Sequence, residues 1–108
     1  MTTSEFRTLV LSFPNTESHP HFDRTAFKVV KRRIFATLHE ANGTANLKLS
    51  EVDQSVFCTV DRNIMYPVPN KWGLQGWTTL ELYLASDELI KDALETAYRE
   101  VFKIRSQE

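Results

Sequence analysis

Apolar positions recur along this chain in two rhythms, one helical and one alternating. Near the start, Phe6, Leu9, Val10 and Phe13 fall at i, i+3, i+4 and i+7, the stripe of one helix face. Thr2 and Glu5 stand at capping-box spacing and Pro14-Asn15 breaks the run, which predicts a helix over residues 2–13. "NTESHPH" is polar and reads as a connecting loop. "TAFKVV" and "RIFATLH" then read as two strands, joined through Lys31 and Arg32 by a hairpin with a basic tip. Asn42-Gly43 favours a second tight turn. It leads into "ANLKLS", where Ala45, Leu47 and Leu49 alternate with Asn46 and Lys48. Ser50 and Asp53 predict a helix over about residues 51–60, with Val52, Val56, Phe57 and Val60 on its buried side.

A strand is expected around 62–66, "RNIMY", followed by the Pro-, Gly- and Trp-rich stretch "PVPNKWGLQGW". "WTTLELYL" alternates again: Thr78, Leu80, Leu82 and Leu84 on one side, Trp77, Thr79, Glu81 and Tyr83 on the other. Ser86 caps a final helix whose stripe is Ile90, Leu94, Ala97, Val101 and Ile104, widened by Leu89, Ala93 and Tyr98. The predicted order is α-β-β-β-α-β-β-α. Hairpin connections imply an antiparallel sheet of about five strands, and the helices among them imply a two-layer α+β sandwich.

Strand parity divides the sheet. Ile34, Ala36, Leu38, Leu47, Leu49, Leu80, Leu82 and Leu84 are expected to face the helices. Phe35, Thr37, His39, Asn46, Lys48, Trp77, Thr79, Glu81 and Tyr83 fall on the other side. Such a mixed polar and aromatic surface is neither a dry core nor a plain solvent face. It is expected to bind a ligand or a second subunit.

Composition narrows the field. The 108 residues, 42% hydrophobic and 25% charged, suit one domain, 1–108, with an ordinary core. A net charge of -1 gives no molecule-wide field for nucleic acid, so any such binding needs a local patch. The lone cysteine, Cys58, rules out an internal disulfide and suits a reducing compartment. "MTTSEFRTLV" lacks a basic, then long apolar, leader, and no stretch approaches a membrane span. A cytoplasmic protein without membrane contact is expected.

Candidate chemistry is sparse. His19 and His21 of "HPH" lack the four-ligand pattern of a structural zinc site, so no metal or other cofactor is expected. Cys58 has no partner in sequence to lower its pKa, and no carboxylate pair stands out as acid and base. No catalytic residue is assigned, and an enzyme is not expected. "GLQG" matches the bare GXXG of nucleic-acid-clamping loops, a weak signal where a strand follows. The basic segment says more: Arg24, Lys28, Lys31, Arg32 and Arg33 place five of the 13 basic residues within ten positions. A cationic hairpin tip reaches phosphates, or else it is a solvated turn whose charges block edge pairing.

"HPHFDRTAFKV", "KRRIFATL", "ANLKLS", "DQSVFC", "PVPNKWGLQGWTTLEL" and "LIKDALETAYREV" occur in that order. Together, over residues 18–103, they resemble the MmcQ/YjbR family. The resemblance implies an antiparallel sheet with helices packed on it, similar to secretion chaperones and more loosely to frataxin. It implies a DNA-binding role through a "double-wing" motif whose wings fall on the hairpins, with no catalytic residues to carry over. The first expectation is therefore a non-enzymatic DNA-binding protein using Arg24, Lys28, Lys31, Arg32, Arg33 and Lys71 on phosphates. Trp72 and Trp77 would stack on bases or pack beside them. The alternative is a protein- or small-molecule-binding module, or a homodimer. It would use Phe35, His39, Lys48, Asn70, Trp72, Trp77 and Tyr83.

Overall fold

The structure, a computed structural model describing residues 1–103, runs α1 (Thr3–Leu11), β1 (Thr16–His21), β2 (Arg24–Val29), β3 (Ile34–His39), β4 (Thr44–Lys48), α2 (Glu51–Phe57), β5 (Met65–Pro67), α3 (Lys71–Leu74), β6 (Trp77–Glu81) and α4 (Asp87–Glu100). Ile104, the last member of the predicted terminal stripe, lies outside the described residues. The strands form one antiparallel sheet in the order β1-β2-β3-β4-β6-β5, so the α+β architecture is as the hairpins required.

The caps sit where the sequence places them. Thr2 Oγ1 accepts from Glu5 N at 3.0 Å while Thr2 N donates to Glu5 Oε1 at 2.8 Å, a complete capping box. Ser86 Oγ accepts from Leu89 N at 3.1 Å to start α4. Helices α1 and α4 cover one face of the sheet. Phe6 and Val10 from α1, and Ile90, Ala93, Leu94 and Ala97 from α4, are buried. They pack with Phe27, Val29, Ala36, Leu38, Ala45, Leu47, Leu80 and Leu82. Edge-to-face ring contacts, Phe6 on Phe27 and Tyr98 on Phe13 and Phe35, lock the layers together.

Four expectations change. "TESHPH" is strand β1, not a loop: six residues pair with β2, from Thr16 opposite Val29 to His21 opposite Arg24. Its composition hides the strand because an edge strand bonds on one side only and tolerates Pro20. The sheet therefore has six strands.

Helix α2 does not bury its valines. Val52 and Val56 are exposed, as is Val60 beyond the helix end, and the side turned inward carries Gln54 and Phe57. The helix-facing layer is already filled by α1 and α4. Helix α2 instead closes the end of the sheet, where Gln54 Nε2 donates to the carbonyls of Gly73 at 2.9 Å and Trp77 at 3.2 Å.

Strand β3 carries a bulge. Phe27 pairs with Ala36 but Lys28 pairs with Ile34, so Phe35 is one extra residue. The bulge reverses the expected sides at this point. Phe35 is fully buried against Tyr98, and Ile34 joins Lys28 on the open face. Finally, β6 ends at Glu81 and Leu84 lies exposed beyond it, because the chain is already turning toward α4.

Candidate functional site

Away from the helices, strand register sets which side chains meet. Lys28 and Ile34 pair across β2 and β3, and Lys48 pairs with Trp77 across β4 and β6. Both pairs lie at the same end of the sheet. Above them stands α3, formed within the stretch that joins β5 to β6. Asn70 caps it, its Oδ1 accepting from Trp72 N at 2.9 Å.

The glycines of this stretch are fixed by packing. A Cβ on Gly73 would lie 1.9 Å from the Val68 carbonyl oxygen. A Cβ on Gly76, which has φ +104°, would lie 1.9 Å from that of Leu49. The "GLQG" spacing is thus explained by close backbone approach, with no phosphate clamp required.

These elements enclose a groove of about 440 Å³ lined by Lys28, Arg32, Arg33, Ile34, Lys48, Trp72, Gln75, Trp77, Glu100 and Val101. Four cations face one acid. Lys103 stands 3.1 Å from the Glu100 carboxylate, which holds the Lys103 ammonium above its usual range by hydrogen bonding and charge. Lys48 Nζ donates to the Leu49 carbonyl at 3.2 Å. Arg32 is engaged elsewhere as well: its Nη1 donates to the Val101 carbonyl at 3.3 Å, and its guanidinium lies 4.7 Å from the Phe102 ring centre. It therefore serves the end of α4, where a cation also meets the negative end of the helix dipole.

The predicted residues divide. Of the phosphate-contacting candidates, Lys28, Arg32 and Arg33 line the groove. Lys31 occupies the exposed β2–β3 tip with φ +66°. Lys71 Nζ sits 5.9 Å from the Trp72 ring centre. Arg24 is at the other end of β2, 3.5 Å from Thr37 Oγ1. Of the face candidates, Lys48, Trp72 and Trp77 line the groove and Asn70 shapes α3. His39 lies at the far end of β3, its Nε2 2.9 Å from Asp23 Oδ2, a bond that lowers the Asp23 pKa. Tyr83 covers Gly43 in the β3–β4 turn. Phe35 belongs to the core and leaves the site, for the reason the bulge supplies. Sequence reasoning missed Ile34, Gln75, Glu100 and Val101. The bulge hid the first, and tertiary docking alone brings in the last two.

Burial pushes the Cys58 thiol up, against a smaller pull from Arg62. Tyr66, whose hydroxyl donates to Glu81 Oε2, has its pKa pushed up to about 12, mainly by that bond. Among the described residues, no three His, Cys, Asp or Glu side chains are grouped to hold a metal ion, and no helix is long and apolar enough to cross a membrane.

Comparison with known proteins supports the fold and the family. The crystal structure of the Deinococcus radiodurans protein DR2400, described by the domain name DUF419, superposes with a TM-score of 0.80 at 21% identity, covering 99% of this chain and 84% of that one. At that identity the likeness speaks for the fold. No curated protein sequence matches the chain. The YjbR family model matches residues 11–100, from the end of α1 to the end of α4, and the chain belongs to the YjbR family.

Proposed function

We propose that this YjbR-family protein is a non-enzymatic binding protein whose cationic groove takes DNA by its phosphates. The observation that carries the reading is convergence. Lys28 and Arg33 from one hairpin and Lys48 from β4 line a single groove, although the whole chain has a net charge of -1. A local patch is what phosphate binding needs, and its Coulombic pull falls as salt screens it.

The test is fluorescence anisotropy with labelled DNA, single- and double-stranded, at increasing salt. With about three phosphates engaged, log K against log salt should fall with a slope of about -2 to -3. The Lys28→Ala, Arg33→Ala double variant should weaken binding and flatten the slope. Absence of binding at low salt, or binding indifferent to salt, overturns the proposal.

A second reading, a protein-binding module or homodimer, draws on the valines that α2 leaves exposed, with Leu74 exposed on the neighbouring α3. Sedimentation across protein concentration tests the homodimer. A dimer that Val56→Asp disperses supports the homodimer, and a monomer at all concentrations removes it.

A further inference from the structure

We infer that the groove takes an unpaired nucleic-acid strand and lays one base against Trp72. This rests on the DNA-binding reading above and narrows it to single strands.

Trp72 is half exposed, at 50%, although indole gains more than most side chains from burial. Its exposure is not slackness. Asn70 Oδ1 fixes its backbone N–H, Gly73 beside it is pressed against the Val68 carbonyl, and Gln54 ties the Gly73 and Trp77 carbonyls to α2. Leu49 N donates to the Gly76 carbonyl at 3.1 Å, joining the end of this segment to the strand β4 leads out of. The chain thus anchors the backbone that carries an exposed aromatic ring at the rim of a cationic groove. Preorganisation of this kind lowers the ordering penalty of a ligand that uses the ring.

The ligand that matches a fixed indole beside Lys28, Arg33 and Lys48 has an exposed π face and a nearby phosphate. An unpaired nucleotide has both. A duplex hides its base faces within the stack, so its phosphates reach the lysines while Trp72 gains nothing. At about 440 Å³ the groove is of small-molecule size, suited to one or two nucleotides rather than to the breadth of a double helix. Gln75, at the same rim, offers a donor and an acceptor to a base edge.

Three probes of equal length separate the outcomes: a single-stranded oligonucleotide, its blunt duplex, and an abasic strand with phosphates but no bases. The wild-type protein should prefer the single strand over the duplex, with quenching of its tryptophan fluorescence. Trp72→Ala should weaken single-strand binding about tenfold or more, Trp72→Phe should retain most of it, and neither should alter abasic-strand binding. Thermal unfolding of both variants shows that the fold is intact, and the abasic strand reports an intact cationic groove independently. Equal affinity for single strand and duplex, or a Trp72→Ala variant that binds the single strand as wild type does, overturns the inference. If Lys28→Ala with Arg33→Ala still weakens both DNAs, the phosphate reading survives that result. Absence of binding to all three probes removes both.

Discussion

One methyl group at Gly76 would meet the Leu49 carbonyl oxygen at 1.9 Å, on a backbone with φ +104°. Steric overlap and left-handed strain act together there, so Gly76→Ala should destabilise by about 3 kcal/mol or more, read from urea unfolding. Phe22 is the reverse case. It sits between β1 and β2 with φ +57° and is 96% exposed, so a large side chain occupies a conformation it resists without gaining burial. Phe22→Asn, which accepts that backbone more readily, should raise stability by up to about 1 kcal/mol. Tyr66 gives a pH signature. Its pKa of about 12 in the folded protein lies above the ordinary value of 10.0, so its contribution is complete below pH 10 and fades as pH rises toward 12. Tyr66→Phe should remove that part of the alkaline decline in the denaturation midpoint. At this scale the sequence was legible for caps, whose spacing is local. It was silent on Tyr66 and Glu81, which meet only through the pairing of β5 with β6.

Elements show where periodicity informs and where it misleads. The α4 stripe and the alternation in β4 and β6 each turned toward the core as their periods demand, because large packed layers enforce them. The valine spacing of α2 is as regular, yet it points to solvent, since a seven-residue helix at the sheet end has little surface to bury it. Val56→Ser should therefore change stability by no more than about 0.5 kcal/mol, whereas Phe35→Ala should cost about 3–5 kcal/mol. Chemical denaturation of the two variants side by side checks the contrast. Nothing in "RIFATLH" marks Phe35 as the extra residue of a bulge. The bulge is set by pairing with β2 and by the space beneath Tyr98, both long-range facts. Strand β1 was missed for a related reason: its partner, not its own residues, makes it a strand.

For the molecule as a whole, each of the two lists of candidate residues read from the chain contributes to one groove, Lys28, Arg32 and Arg33 from the first and Lys48, Trp72 and Trp77 from the second. Hairpin cations and the tryptophans are separated in sequence by α2 and three strands, and sheet register brings them together. The charge sum concealed this, because a net value carries no positions. Arg32 adds a consequence. Its guanidinium donates to the Val101 carbonyl at the end of α4 while lining the groove, so a phosphate there competes with that carbonyl for its donors. A ligand that draws it inward leaves the end of α4 short of a cation and a donor. Hydrogen exchange should then speed up at residues 98–102 as DNA is added, and slowed exchange there would show that Arg32 keeps its place. Filling the groove would loosen the helix end that lines it, so the bound protein would announce its cargo by a frayed helix, visible to any partner or protease that reads order rather than charge.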